Sequence, residues 1–208
     1  MRQSLPLAMA DPLDPIRAAL GATPGAPSSD YDLNSDTVLP EGRKLRAAGV
    51  LMPILIDDGR PTVFLTKRSS ALKHHPGQIA FPGGKQDDSD ADVIAAALRE
   101  AQEEIGLDPT NVKVLGTMPA HETVTGFVVT PVIAQVLAPF RPVPEPGEVD
   151  EVFQVPLTHV MNVARYSIQA RRWRGRQRMY YTVPFGPYYI WGATARILRA
   201  LADAAARP

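Results

Sequence analysis

The sequence predicts an α/β (α+β) fold in which helices cover both faces of one mixed β-sheet. Runs rich in β-branched residues interleave with amphipathic helical patterns, without the strict strand–helix alternation of a fully parallel sheet. The chain has 208 residues, of which 45% are hydrophobic, so one domain with a decorated edge can bury a full core.

The overall composition excludes several classes of function. Lysine plus arginine balances aspartate plus glutamate at 22 each, so the chain has no bulk attraction for nucleic acid or an anionic membrane. The absence of cysteine excludes disulfides, thiolate catalysis and cysteine-ligated zinc. Neither a signal-peptide apolar region nor a run approaching ~18 apolar residues occurs, and we expect a cytoplasmic protein.

Two regions are predicted, an N-terminal extension at residues 1–47 and a main domain at residues 48–208. Residues 15–20 form a short amphipathic piece, and residues 21–29 are poor in helix and strand formers. The extension must pack somewhere, which favours a homodimer, although it can equally form a flap over the site.

The main domain begins with two β-rich runs, residues 50–56 and 62–66. Asp58-Gly59 between them is a hairpin signal, and Pro61 suggests a longer loop. Residues 72–84 carry two prolines and three glycines, so we expect mostly loop with a short strand near 78–81.

The clearest helix is predicted over residues 91–105. Its apolar stripe falls at helical spacing and consists of Ile94, Leu98, Ala101 and Ile105. Ser89 with Asp92 resembles a capping box, and Gly106 stands where a C-terminal cap is expected.

The remaining elements are predicted from shorter patterns. Strands are expected at 112–118, 127–137 and 152–155, a short helix at 157–163, and a strand pair around the turn 174–176. Residues 188–205 predict a closing amphipathic helix whose inward side chains are Trp191, Ile197, Leu198 and Leu201.

Glu100, Glu103 and Glu104 share one face of the predicted helix, and the apolar stripe on the opposite side turns that face outward. The three carboxylates repel each other near a helix C-terminus, where the dipole also disfavours anions. A bound cation reverses this sign, and hard oxygen ligands suit Mg²⁺ or Mn²⁺. Taken alone, the pattern is also that of a solvated acidic face.

The context of these glutamates resembles the signature of the Nudix hydrolases, G-x5-E-x7-R-E-U-x-E-E-x-G-U, where U is a bulky aliphatic residue. Residues 99–107 match its second half, except that the small Ala101 takes the first U position. Gly84 to Arg99 is one residue longer than the pattern, and Asp90 replaces the first glutamate. The signature is long, and chance is a poor explanation for the match.

A second motif resembles the coenzyme A pyrophosphatase branch of that family. Residues 65–84, LTKRSSALKHHPGQIAFPGG, are similar to the "LLTxRS…GQ…FPGG" run that precedes the signature in the branch. With residues 190–195, IWGATA, the similarity covers roughly residues 48–200.

The resemblance implies an α/β/α sandwich and attack of a metal-activated water on one phosphorus of a P–O–P link. It implies that Glu100, Glu103 and Glu104 hold Mg²⁺ or Mn²⁺, and that Arg99 orients them. In the coenzyme A branch, the expected products are 3′-phospho-ADP and 4′-phosphopantetheine.

Other site residues follow from the same resemblance. Gly83 and Gly84 are expected to give backbone approach near the metal, and Arg68, Lys67 and Lys73 to meet phosphates. A further carboxylate, acting as base or metal ligand, usually comes from a loop outside the signature. The candidates are Glu148, which we favour, then Glu151, with Glu122 behind them.

The run of Arg171, Arg172, Arg174, Arg176 and Arg178, interleaved with aromatic residues, has three interpretations. It can bind nucleic acid, form an exposed hairpin, or supply an arginine for the 3′-phosphate of coenzyme A. The neutral chain favours the hairpin. His74, His75, His121 and His159 lack metal-binding spacing, and we expect them in loops or at the surface.

Three functions therefore remain open. The first is a hydrolase for coenzyme A or its thioesters. The second is a hydrolase for another nucleoside diphosphate derivative, such as a nucleotide sugar, a dinucleoside polyphosphate or capped RNA. The third is a non-catalytic nucleotide-binding module, and the three intact glutamates argue against it. In each case the expected partner is a small nucleotide, with nucleic acid and membrane disfavoured.

Overall fold

The computed structural model describes residues 11–22, 25–37, 39, 41–173 and 175–207. Its strands are β1 (Ser28–Ser29), β2 (Arg46–Asp57), β3 (Arg60–Arg68), β4 (Ile79–Ala80), β5 (Gly83–Lys85), β6 (Val112–Thr117), β7 (His121–Glu122), β8 (Phe127–Val136), β9 (Val149–Pro156), β10 (Ser167–Trp173) and β11 (Arg176–Thr182). Its α-helices are α1 (Asp14–Gly21), α2 (Val93–Ile105), α3 (Leu157–Val160) and α4 (Gly192–Ala205), with 3₁₀ turns at Pro109–Asn111 and Val163–Arg165. Residues 1–10 of the predicted extension and Arg174 lie outside the described residues.

The sheet is mixed, as predicted. Its central pair, β2 and β8, runs parallel over ten register positions, from Arg46 opposite Phe127 to Leu55 opposite Val136. Strands β3 and β6 then add in antiparallel fashion, and β9 and β4 both pair with β3. β5 pairs with the beginning of β2, while β10 and β11 form a separate hairpin.

Helices cover both faces of this sheet, which confirms the α/β/α sandwich. Neighbouring residues along a strand enter opposite apolar clusters: Leu51 packs under α2, whereas Met52 packs under α4. Val63 and Phe64 divide in the same way on β3. The two-residue period of a strand buried on both faces produces this division.

The β2–β3 connection is a tight two-residue turn, so the longer loop expected from Pro61 is wrong. Asp58 and Gly59 have φ angles of 46° and 72°, as a type I′ turn requires. Pro61 lies opposite Ile56, one position beyond the residues that β9 pairs. Its missing N–H therefore removes no hydrogen bond from the sheet.

Helix α2 begins two residues later than predicted, and its cap differs. Asp92 itself is the N-cap, and its carboxylate accepts hydrogen bonds from the backbone N–H groups of Ile94 and Ala95, at 2.9 and 2.8 Å. The capping box with Ser89 is therefore wrong. Gly106, at φ 69°, ends the helix as predicted.

The closing helix begins at Gly192 rather than at 188. Residues 183–190 instead fold back on β11, with the Val183 N–H donating to the Ile190 carbonyl at 2.9 Å. Trp191 was expected to face inward, and this is wrong: it is half-buried, and the Arg171 guanidinium lies 4.3 Å from its ring.

The described part of the extension packs on its own chain. Leu13 and Ile16 of the first helical turn are fully buried in the cluster that also holds Leu198 of α4. β1 adds in parallel beside β7, and the predicted boundary at 47/48 falls inside β2. A second copy is therefore not needed to cover this apolar helix. Across the described ranges, no helix combines the length and apolarity that crossing a bilayer requires.

Gly49 sets how closely α2 approaches the sheet, and this predicts a large effect of adding one methyl group. A Cβ at Gly49 would lie 2.0 Å from the Val93 carbonyl oxygen. We expect Gly49→Ala to lower the free energy of unfolding by about 1–3 kcal/mol or more, because helix and strand must separate. Urea denaturation measures the difference.

Gly21→Ala is the matched control, since a Cβ there meets nothing within 4 Å. It should not lower the free energy of unfolding and should raise it by at most about 1 kcal/mol, because alanine favours the helix. Equal stabilities for the two variants would contradict the close packing of α2 on β2.

Candidate functional site

The three predicted metal-ligating glutamates share one face of α2, but their burial differs steeply. The Glu103 side chain is 57% exposed, Glu100 is 18% exposed, and Glu104 is 5% exposed. The expectation that the whole face points outward is therefore wrong. Strand β5 and Arg68 cover the last turn of the helix, so only Glu103 remains freely solvated.

The glycines of β5 contact the two inner glutamates directly. The Gly83 N–H donates to Glu104 Oε2 at 3.0 Å, and a Cβ at Gly84 would lie 2.5 Å from the Glu100 carboxyl group. Gly83 also has φ 151°, and a Cβ there would lie 2.4 Å from the Gly49 carbonyl oxygen. Only glycine lets this backbone lie against the carboxylates, because any side chain would displace them.

Arg99 links the acidic groups beside this face. Its Nη1 donates to Glu100 and to Glu103, each at 3.0 Å, while its Nε and Nη2 grip both oxygens of Asp90, at 3.0 and 2.9 Å. The hydrogen bond to Arg99 holds the pKa of Asp90 below its usual range. Because Asp90 binds two nitrogens of the Arg99 guanidinium, the third nitrogen, Nη1, is held in a fixed position, where it orients the Glu100 and Glu103 carboxylates.

Burial dominates the electrostatics of the inner glutamates. Desolvation raises the pKa of Glu104 to about 7, against the lowering effects of the Gly83 N–H and Arg68. Desolvation also raises the pKa of Glu100, and Arg99 opposes it. The negative charge of Glu148 raises both pKa values further, so Glu148 lies within electrostatic reach of both groups.

The other two candidates for the additional carboxylate are held elsewhere. Glu151 accepts a short hydrogen bond from the Tyr188 hydroxyl. It lies two residues before Phe153 on β9, so both side chains point to the sheet face that α4 covers. Glu122 forms an ion pair with Arg43 at 2.6 Å on β7. Glu148 precedes β9 in an exposed loop, and its carbonyl accepts the Ser69 N–H at 2.8 Å.

The predicted phosphate-contacting cations occupy different positions. Arg68 lies on the same sheet face as Phe64, the face that α2 covers, and its Nη1 lies 3.9 Å from Glu104 Oε1. The Lys67 side chain points to the opposite face of the sheet; the pKa of Asp150 is lowered mainly by the hydrogen bond from the Ser70 N–H, and the Lys67 charge lowers it further. Lys73 is exposed in the loop after β3, and within the described ranges no hydrogen bond or ion pair joins it to the glutamates.

These groups are chemically suited to a hard divalent cation. Among the described residues, no three carboxylates or histidines already converge tightly enough to hold an ion. However, the carboxylates of Glu100 and Glu104 repel each other, and Glu148 repels both. A nearby cation would offset this repulsion, and carboxylate oxygens are the ligands that Mg²⁺ and Mn²⁺ prefer. The absence of a Cβ at Gly84 lets the β5 backbone lie close to the Glu100 carboxyl group.

Two features of the structure were not found from the sequence. His121 is fully buried rather than in a loop or at the surface: its Nδ1 lies 2.9 Å from Ser28 Oγ and its Nε2 lies 3.2 Å from Asp30 Oδ1. Strand β7 has only two residues, too few for an alternating pattern that would predict a buried histidine from the sequence. The second is a cavity beside Arg171 and Trp191, whose walls are distant in sequence.

Comparisons with known proteins show the family of the chain. The family model described as NUDIX domain matches residues 45–177. An uncharacterized Nudix hydrolase NudL of Citrobacter koseri is 41% identical over 174 residues, covering 84% of this chain and 90% of that protein. Its Escherichia coli counterpart is 43% identical over 158 residues, covering 76% and 81%. Among solved structures, the Nudix hydrolase RenU of M. smegmatis has a TM-score of 0.47 at 28% identity, over 55% of this chain and 73% of that one.

The raised pKa of Glu104 predicts a pH-dependent stability of the protein in chelator. The folded state holds the proton up to pH about 7, whereas the ordinary value is 4.5. Stability should therefore be highest below pH 4.5 as far as this group is concerned, and should fall as the pH rises towards 7. The loss is at most about 3 kcal/mol for a shift of this size.

Glu104→Gln should remove this component, so the variant exceeds the unsubstituted protein in free energy of unfolding at pH 8 but not at pH 5. Glu103→Gln is the control, because its carboxylate is exposed. Urea denaturation at the two pH values measures both, and parallel pH profiles for all three proteins would contradict the burial of a charged Glu104.

Proposed function

This chain belongs to the Nudix hydrolase family, and we propose that it hydrolyses the diphosphate bond of coenzyme A or its thioesters. The observation that carries the proposal is where the residues 65–84 motif lies. Arg68, Gly83 and Gly84 all come from it, and each contacts an inner glutamate of α2. A motif that resembles the coenzyme A branch thus borders the glutamates that the family signature supplies.

Glu100, Glu103 and Glu104 are proposed to hold Mg²⁺ or Mn²⁺, the kind of ion that the family uses. Such an ion would neutralise charge on the diphosphate and lower the pKa of a bound water. Arg99 keeps Glu100 and Glu103 in place through its two 3.0 Å hydrogen bonds rather than touching substrate. Asp90 in turn fixes Arg99.

The protein's own groups have distinct tasks in this proposal. Arg68 faces the buried end of the glutamate row and would bind diphosphate oxygens, because a guanidinium donates to phosphate in the same fork geometry as to carboxylate. Glu148 would accept a proton from the attacking water, since it lies near Glu100 and Glu104 but remains exposed to solvent. Gly83 and Gly84 let the β5 backbone lie directly against the two inner glutamates, and a side chain at Gly84 would displace Glu100.

The reaction forms one bond from the water oxygen to phosphorus and breaks the bond from that phosphorus to the bridging oxygen. Each half of the substrate therefore leaves with one of the two phosphates of the diphosphate, and the nucleotide half also keeps its 3′-phosphate. The nucleotide product is adenosine 3′,5′-bisphosphate, one phosphate fewer than the 3′-phospho-ADP expected above, and the other product is 4′-phosphopantetheine. Thioesters of coenzyme A carry the same bond and give the corresponding acyl-phosphopantetheine.

Turnover of coenzyme A with Mg²⁺ or Mn²⁺ tests the proposal, with products identified by mass. We expect adenosine 3′,5′-bisphosphate and 4′-phosphopantetheine, and loss of nearly all rate in Glu103→Gln, because an exposed ligand is removed without disturbing the core. Cleavage of another diphosphate while coenzyme A stays intact would overturn the assignment of coenzyme A as the substrate. No cleavage in a broad diphosphate panel would favour the non-catalytic module.

The base assignment has its own test. Glu148→Gln should lower kcat by about 10²–10⁴-fold, the usual contribution of a general base. Glu145→Gln changes the same charge in the same exposed loop and should retain the kcat of the unsubstituted protein. A loss of rate in Glu151→Gln or Glu122→Gln, with Glu148→Gln active, would move the role to one of those residues.

A further inference from the structure

A cavity lies outside the glutamate site. It has a volume of about 240 Å³ and is lined by His75, Pro76, Gly77, Gln78, Arg171 and Trp191. A water molecule occupies about 30 Å³ of liquid, so the cavity has room for roughly eight waters. It is therefore large enough for one heteroaromatic ring system or a phosphorylated sugar.

One wall of this cavity is a cation fixed on aromatic rings. The Arg171 guanidinium lies 4.3 Å from the centre of the Trp191 ring, and the Tyr180 ring packs edge-on against Trp191 at 5.1 Å. Stacking holds the guanidinium in one orientation while its N–H groups remain available at the edge. In the part of the chain that the structure describes, no carboxylate forms an ion pair with Arg171. A net positive, preorganised wall suits an anion.

The cavity and the glutamate site lie at the same end of the sheet. The Arg68 N–H donates to the Gln78 carbonyl at 3.0 Å, and the Gly77 N–H donates back to the Arg68 carbonyl at 3.0 Å. Gln78 and Gly77 line the cavity, while the Arg68 side chain reaches to 3.9 Å from Glu104. Arg68, whose side chain borders the glutamates, is thus hydrogen-bonded through its backbone to two residues that line the cavity.

We propose that this cavity binds the nucleotide half of the substrate, with Arg171 on the phosphate monoester that this half carries on its ribose. This rests on the proposed function, in which coenzyme A is the substrate. The two halves of coenzyme A differ in chemistry, and only one of them matches the cavity. The pantetheine half is an uncharged flexible chain of amides, whereas the nucleotide half carries a ring and a phosphate with a second pKa near ~6. A wall of guanidinium and indole groups matches the second.

The test compares Arg171→Ala with Arg172→Ala. Arg172 neighbours Arg171 on β10 and is equally exposed, but it does not line the cavity, so both variants lose the same charge from the same hairpin. Two measurements are made on each protein: calorimetric binding of adenosine 3′,5′-bisphosphate, and the ratio of kcat/KM for coenzyme A to that for coenzyme A lacking the 3′-phosphate.

We expect Arg171→Ala to weaken binding of the bisphosphate by about tenfold or more and to lose the preference for the 3′-phosphate, as removal of a charge-assisted contact predicts. Arg172→Ala should stay within about twofold of the unsubstituted protein. Equal weakening in both variants, which diffuse charge would give, or an unchanged affinity in Arg171→Ala, overturns the proposal.

The two proposals fail separately. If coenzyme A is not hydrolysed but the bisphosphate binds through Arg171, the nucleotide subsite stands and the substrate assignment falls. If coenzyme A is hydrolysed and Arg171→Ala keeps both the KM and the 3′-phosphate preference, the substrate assignment stands and the subsite falls.

Discussion

The close approach of strand β5 to helix α2 is the constraint on which the rest of the site depends. The Gly83 N–H donates to a carboxylate that is almost fully buried, and Gly84 leaves no space for a Cβ against Glu100. On the other side, Gly49 lets the beginning of α2 rest directly on β2. Gly49 thus lets α2 pack closely on β2, and Gly83 and Gly84 let β5 cover the inner part of its acidic face, which explains why the outermost and innermost glutamates differ so much in solvation.

The resulting gradient of burial divides the work among residues that look equivalent in a helical wheel. Glu103 is solvated and accepts a hydrogen bond from Arg99, Glu100 is intermediate in burial, and Glu104 has the raised pKa of a desolvated acid. Arg99 connects the outer two to Asp90, while Arg68 faces the innermost. The acidic row is thus opposed by cations at both ends, and the remaining repulsion is of the sign that a bound divalent cation removes.

The N-terminal segment supports the same domain from the other side. α1 packs under the cluster of α4, and Ser28 and Asp30 both contact the buried His121 ring. Asn34 donates to and accepts from the Met179 backbone, at 2.9 Å each way, so the segment also holds β11. This anchors the hairpin that carries Arg171 next to the cavity at the N-terminal end of α4.

The sequence by itself determined what depends on local periodicity and on a long motif. The long strands of the mixed sheet, helix α2 with its Gly106 cap, and the row of glutamates beside Arg99 follow from spacing and side-chain type. Only the tertiary structure decided which glutamate is buried, because that depends on β5, which precedes the helix by eight residues and pairs with β2. It also decided the surroundings of His121 and Trp191 and the different neighbours of Glu148, Glu151 and Glu122. Each of these depends on contacts between elements distant along the chain, for which no local pattern exists.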